Sequence, residues 1–411
     1  MRSASLDELV AGASVIVTTG SGGVGKTTVA AAIGVGAARA GRKVVVVTID
    51  PAQRLMDALG LEPGSDASVR PRGSERGGGL AGRAHPHLVG GPDGTGSDPS
   101  ATGLGGRRAG EVHPIPGDWD GELAAVMLDA KGTFDRLIES GASSPDQIAR
   151  ILSNPIYKSV SGALSGTQEY MAAEKLHELA TDERWDLVVV DTPPSRNALD
   201  FLTAPDRLLA FFDHPLYRVL SAPSRGVFKV AGAAAQTVLK VVSRLVGSEL
   251  VDDVFEFFAA VDGLEPGFRR RATEARQILL ADRTAFVLVA GASRDTAAEA
   301  RHFAERLTGL GIEISSLVVN LMTPATGVES SVARALHAEC PEGSDLAHLA
   351  SNLAELSEQV ELEAVHVAAL TAGLGTPSAS IRPVMIPRLE REVDDIEGLI
   401  QVAGRLFAEA E

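Results

Sequence analysis

Eight residues constrain this chain more than any other feature. Gly20-Ser-Gly-Gly-Val-Gly-Lys-Thr27 fits the pattern G-x-x-x-x-G-K-[ST]. It follows Ser14-Val-Ile-Val-Thr-Thr19, which reads as a buried strand, and opens Val29 to Ala40, an Ala-rich helix closed by Gly41. Glycines let successive backbone N–H groups turn inward around phosphate oxygens, and a helix N-terminus adds partial positive charge. Gly20, Ser21, Gly22, Gly23, Val24 and Gly25 therefore read as a phosphate cradle. Lys26 supplies a point charge to the β- and γ-phosphates, Thr27 a hydroxyl to Mg²⁺, and Thr28 a hydrogen bond to a phosphate oxygen. The chain has only 7 Lys against 31 Arg, so a Lys at this position is the more telling.

Further strands are predicted at Lys43–Ile49, Trp185–Val190, Ala285–Ala290, Ser316–Val319 and Ile381–Ile386. Continuous apolar strands separated by helical stretches indicate an α/β fold with a mostly parallel sheet covered on both faces. Residues 119–182 lack strand signals and read as helices, with Met127, Phe134, Leu137 and Ile138 spaced for one face. Residues 199–280, including Val227 to Val246 and Val254-Phe-Glu-Phe-Phe258, also read as helical. The two stretches are expected to pack as a helical subdomain. Their apolar surface is either its own core or a groove for an apolar client.

Two carboxylates close predicted strands. Asp50, in Asp50-Pro51-Ala52-Gln53-Arg54-Leu55, stands at the carboxyl edge of the second strand. There it would orient or deprotonate an attacking water, or else cap the following helix. Asp191, in Asp191-Thr192-Pro193-Pro194, follows four apolar residues in the Walker B manner, and its carboxylate would hold Mg²⁺ directly or through water. The Pro-Pro turn reads as a segment that senses the γ-phosphate.

Composition narrows the rest. Residues 62–117 hold 15 Gly and 7 Pro and no Phe, Trp or Tyr, so they cannot bury enough apolar surface to offset their ordering entropy, and they read as a disordered insertion. A single cysteine, Cys340, excludes a disulfide scaffold and any multi-cysteine metal site within one chain. The formal charge of −16 argues against nucleic acid as the main partner. No stretch approaches the length and apolarity of a membrane span, and the first residues carry no secretory pattern, so a cytoplasmic location is expected. Arg269-Arg270-Arg271 reads as a solvated helix face.

Together these segments resemble the ArsA/Get3 family of P-loop ATPases (anion-transporting ATPase-like), within the dimeric class that also holds MinD, ParA and nitrogenase iron protein. Gly22 to Thr28, Asp50-Pro51-Ala52-x-x-Leu55 and Asp191 to Leu202 carry the likeness, with Ser161 to Tyr170 and Val318-Val319-Asn320. The actinobacterial branch is the nearest in pattern. The resemblance implies a doubly wound sheet with an inserted helical subdomain. The core is then 1–61 (P-loop, first switch), 184–198 (Walker B, second switch) and 281–411. The helical parts are 118–183 and 199–280, and 62–117 is the insertion. It further implies Mg²⁺-dependent hydrolysis of ATP by a nucleotide-driven dimer acting on a client or transport partner. Asp50 becomes the water activator in the first switch and Asp191 falls in the second. Asn320 reads the adenine, and Pro387-Arg388-Leu389 closes over the base, Pro387 and Leu389 making the contact. An ordinary strand-end Asn and a turn before the last helix are the plainer readings of those positions.

Two departures matter. The family's signature Lys before Gly-Gly, which reaches the partner's ATP, is here Ser21. An arginine, Arg196 or Arg54, or a paralogous subunit would have to supply that charge. The thiolates that capture arsenite or clasp a dimer zinc are missing, which favours a hydrophobic client helix or membrane partner over an anion. The alternatives are a catalytically weak nucleotide-binding subunit of a heterodimer and a MinD/ParA-like positioning ATPase. Against the last stands an acidic C-terminal segment, Val393 to Glu411, where such proteins carry a basic membrane helix.

Overall fold

The computed structural model describes residues 5–49, 54–59, 110–163, 166–193, 195–215, 217, 248–261, 263–374 and 381–408. Its centre is an eight-stranded sheet in the order β3-β4-β2-β5-β1-β6-β7-β8. The strands are β1 (Val15–Gly20), β2 (Lys43–Thr48), β3 (His113–Pro114), β4 (Glu122–Met127), β5 (Leu187–Asp191), β6 (Thr284–Gly291), β7 (Ser316–Met322) and β8 (Pro383–Pro387). All pairings are parallel except β3 with β4. The fold is thus α/β with a mostly parallel sheet. β1 and β5 are buried along their whole length, which is why their residues run apolar and β-branched without alternation.

Helices cover both faces. On one, α2 (Lys26–Arg39) lies across β1, β2, β4 and β5, and α14 (Ile396–Leu406) packs on it. On the other, Val15, Val17, Val45, Val47, Val188 and Val190 meet α7 (Thr167–Ala180), α8 (Ser195–Asp213), α10 (Glu265–Leu279) and α11 (Arg294–Gly309) in one apolar cluster. The remaining helices are α1 (Leu6–Gly12), α3 (Arg54–Ala58), α4 (Ala130–Gly141), α5 (Pro145–Ser153), α6 (Pro155–Ala163), α9 (Ser248–Ala260), α12 (Ser330–Glu339) and α13 (Asp345–Leu374). None of the described helices is long and apolar enough to cross a membrane.

Helices α4 to α10 build two further apolar clusters away from the sheet. Leu137, Tyr170, Met171, Ala204 and Ala272 form one; Ile138, Ile151, Tyr157, Ala260 and Leu264 form the other. Phe134 joins them, its ring 5.3 Å from Tyr157 and 6.3 Å from Phe268. Each large side chain so buried contributes about 1.5–3 kcal/mol. Described residues from the stretch before β5 and from the stretch before β6 share these two clusters.

One expectation is corrected. Residues 119–182 are not wholly helical, because Glu122–Met127 is strand β4. Glu, Leu, Ala and Met all favour helices. A neighbouring strand overrides that preference: Ala124 pairs with Val45 in register, and Leu123 to Val126 are buried. The tail of the Gly/Pro-rich stretch is also structured from Gly110 onward. His113 and Pro114 pair with Ala125 and Ala124, at the sheet edge where proline is tolerated. Residues 60–109 and Val227 to Val246, on which two expectations rest, lie outside the described residues.

Candidate functional site

The glycine loop leaves the carboxyl end of β1, the strand between β5 and β6. Two of its glycines are required by space as well as by torsion. A Cβ on Gly20 would stand 1.9 Å from the Val289 carbonyl oxygen on β6. A Cβ on Gly25 would stand 2.4 Å from Asn320 Nδ2, and Gly25 has φ +82°. Gly25 is also the N-cap of α2 and brings no side chain to cap it. The first N–H groups of α2 are thus left without a side-chain cap, as in an anion cradle.

Lys26 is the first residue of α2 and is buried, its Nζ donating to the Ser21 carbonyl at 2.8 Å. The cation is folded back over the loop. Thr27 Oγ1 donates to Asp191 Oδ2 at 2.8 Å, and Thr48 Oγ1 donates to the same oxygen at 3.0 Å. Parallel register explains the meeting: Asp191 pairs with Thr18 on β1 and with Thr48 on β2. Ile49 N donates to the Asp191 carbonyl at 3.1 Å, and Thr192 Oγ1 to the Thr18 carbonyl at 2.7 Å. The carboxyl edge of three strands is laced by threonines around one fully buried carboxylate.

These donors are hard oxygens, and among the described residues no group of three or more His, Cys, Asp or Glu could hold a metal. One carboxylate and one hydroxyl, with the remaining places left to phosphate and water, is a donor set that suits Mg²⁺ rather than zinc.

Ser21, where the signature Lys would stand, is buried, and its hydroxyl has no hydrogen-bond partner among the described residues. The side chain points into the protein. Thr28 is half-buried on the first turn of α2. Asn320, at the end of β7, donates Nδ2 to the Val24 carbonyl at 2.9 Å. The next residue, Leu321, has φ +61°, and the β7–β8 register shifts there. Positive φ is uncommon for so bulky a residue. Beyond the shift Met322 pairs with Pro387, and Arg388 N donates to the Met322 carbonyl at 2.7 Å. Pro387 and Leu389 are half-buried beside this kink. The structure thus brings the glycine loop, Asp191 and Asn320 together, with the Pro387 loop tied to the strand that carries Asn320. Asp50, with the side chains of Arg54 and Arg196, lies outside the described residues.

Sequence reasoning passed over Thr48 and Gln168. Thr48 stands level with Asp191 in the sheet, a relation only the strand register reveals. Gln168 is at the start of α7, its Nε2 at 3.5 Å from the Ile49 carbonyl.

The profile of the anion-transporting ATPase family matches residues 13–69 and 121–339. An ATPase named get3 from Aspergillus terreus is 23% identical over 317 residues, 76% of this chain and 75% of that protein. The arsenical pump-driving ATPase of Acidiphilium multivorum is 23% identical over an alignment of 410 positions, which covers 94% of this chain but 55% of the pump ATPase, so the chain spans about half its length. A Mycobacterium tuberculosis protein is 31% identical over 189 residues, 45% of this chain and 36% of that one.

Proposed function

We propose that this chain, which belongs to the anion-transporting ATPase family, binds ATP with Mg²⁺ at the loop 20–28 and hydrolyses it to ADP and phosphate. The observation that carries the reading is the convergence of Thr27 and Thr48 on Asp191, beside a buried Lys26 and an uncapped helix N-terminus.

Each residue then has a task. The amides of Gly20 to Thr28 and the α2 N-terminus take phosphate oxygens, where fixed donors stabilise charge at no cost of reorganisation. Lys26 turns from the Ser21 carbonyl to the β- and γ-phosphates. Thr27 and Asp191 hold Mg²⁺, directly or through water, and the ion would neutralise charge on the phosphates. Asp50 orients or deprotonates the attacking water. Asn320 reads the base edge, with Pro387 and Leu389 against its face.

Hydrolysis resets a dimer and, through it, the helices α4 to α10. The client we favour is a hydrophobic helix or a membrane partner. Captured arsenite needs several thiolates, and Cys340 is half-buried with its Sγ bonded to the Leu336 carbonyl at 3.2 Å. The test is a Mg²⁺ titration of ATP turnover by the purified chain with Lys26→Ala and Asp191→Asn beside it. Loss of at least about a hundredfold in kcat in both variants supports the reading, and turnover equal to wild type in either overturns it.

A second reading rests on Ser21. A neutral, inward-facing side chain there cannot reach a partner's nucleotide, which favours a heterodimer whose paralogous subunit supplies the cation. Turnover that rises only on adding such a subunit would favour it over the homodimer.

A further inference from the structure

Helices α12 and α13 form an antiparallel hairpin whose seam is made of small residues: Ala333 on one helix, Ala347, Ala350, Ala354 and Ser357 on the other. Each seam residue is preceded by a large aliphatic one. Val332 precedes Ala333. Leu346, Leu349, Leu353 and Leu356 precede the four on α13. On a right-handed helix the residue before a seam residue turns to one flank, and in an antiparallel pair those flanks lie on the same side of the hairpin. The result is one apolar face. Leu349 is 65% exposed, Leu346 and Val332 56%, and Leu356 50%. Their 3-4 spacing on α13 is the pattern with which one helix receives another.

The charges say what the face would accept. From Glu329 to Glu361 there are seven carboxylates and one guanidinium. That guanidinium, Arg334, is on the other side and is paired with Glu358 at 3.1 Å. Around the apolar face, Glu329, Glu339, Glu342 and Asp345 are exposed and have no ion-pair partner among the described residues. A second copy of this face would set carboxylates against carboxylates at either end, whichever way it docked.

We propose that the α12–α13 hairpin is a docking face for another protein's cationic amphipathic helix: an apolar stripe of about three turns flanked by Lys or Arg. The stripe from Leu346 to Leu356 spans roughly 15 Å at 1.5 Å per residue, enough for three such turns. Leucine side chains provide the affinity, and the acidic rim selects the partner's charge and speeds encounter.

The test uses the full-length protein and a fluorescein-labelled 18-residue Leu/Lys amphipathic helix, followed by anisotropy, with a Leu/Glu helix of the same apolar pattern as control. Saturable binding of the Leu/Lys peptide is expected, and none of the Leu/Glu peptide. Leu349→Gln with Leu356→Gln should weaken binding at least tenfold. Glu339→Lys with Glu342→Lys and Asp345→Lys should weaken it comparably and flatten its dependence on salt. All five positions are exposed, so far-ultraviolet circular dichroism and melting should stay as in wild type. Binding unchanged in either variant overturns the proposal, as does equal binding of the Leu/Glu peptide. Self-association by sedimentation equilibrium that vanishes in the leucine variant would assign the face to a second copy and also overturn it.

Discussion

Asn320 Nδ2 donates to the carbonyl of Val24 across 296 residues of sequence, so the glycine loop is held from the strand two places away in the sheet. The same side chain fills the space a Cβ on Gly25 would need. Loop shape and the end of β7 are therefore coupled before any nucleotide arrives. Asn320→Ala removes the tether and the proposed base contact together. Nucleotide affinity should fall about tenfold, equivalent to ~1.4 kcal/mol, with a smaller change in kcat. Isothermal titration with ADP and with ATP, set beside saturated turnover rates, separates the two effects.

Gly25→Ala is expected to be far more damaging. It combines positive φ with a clash against a buried amide, at a cost of about 1–3 kcal/mol of strain. Melting should drop by several degrees, and equilibrium dialysis should detect no bound nucleotide.

Thr48 makes a sharper test of the proposed metal arrangement than Asp191 itself. Thr48→Val keeps the shape but deletes the hydroxyl that donates to Asp191 Oδ2. The carboxylate loses a positioning bond, which is worth about 1.5–3 kcal/mol when one partner is charged. The Mg²⁺ concentration for half-maximal turnover should rise several-fold while ATP binding without Mg²⁺ stays unchanged.

Acid should loosen the loop that follows β7. Burial would raise the Glu363 carboxyl, but donors from Gln359, the Thr323 N–H and the Thr323 hydroxyl outweigh it and hold Glu363 below the usual range. Glu361 is lowered by the Ser330 N–H and hydroxyl. A carboxylate depressed on folding stabilises above its unfolded pKa of about 4.3, and that stabilisation disappears as pH falls through the lowered folded value. Amide exchange at Thr323 and Ser330, corrected for its intrinsic pH dependence, should therefore stay protected at pH 6. It should accelerate below about pH 4, and Glu363→Gln should expose Thr323 at pH 6 already.

Cys340 should be dispensable. With Sγ on the Leu336 carbonyl at the end of α12, Cys340→Ser is expected to keep turnover within about twofold. Arsenite should leave both proteins unaffected in the same assay.

The buried strands were legible because residues such as Val44 to Val47 have no polar alternation to hide. The glycine loop was legible because its chemistry needs a fixed spacing. β4 was not, since Glu-Leu-Ala-Ala-Val-Met has helical preferences and becomes a strand only beside β2. The meeting of Thr27 and Thr48 on Asp191 joins residues from three separate elements, and parallel register, not local pattern, decides which side chains share a depth. The family likeness assigns Asn320 to the base. Its bond to Val24 depends on where β7 kinks, and nothing in Val-Val-Asn-Leu-Met announces a positive φ at leucine.

The place of β1 carries a consequence for how the molecule is made. Its neighbours in the sheet are β5 and β6, and its register partners run from Val188 to Asp191 and from Thr284 to Val289. A ribosome-bound chain ending before residue 284 holds the glycine loop on a strand with one side open, and without Asn320 to steady it. The loop can reach its tethered shape only once Asn320 has been made, after closure of long loops that slows folding.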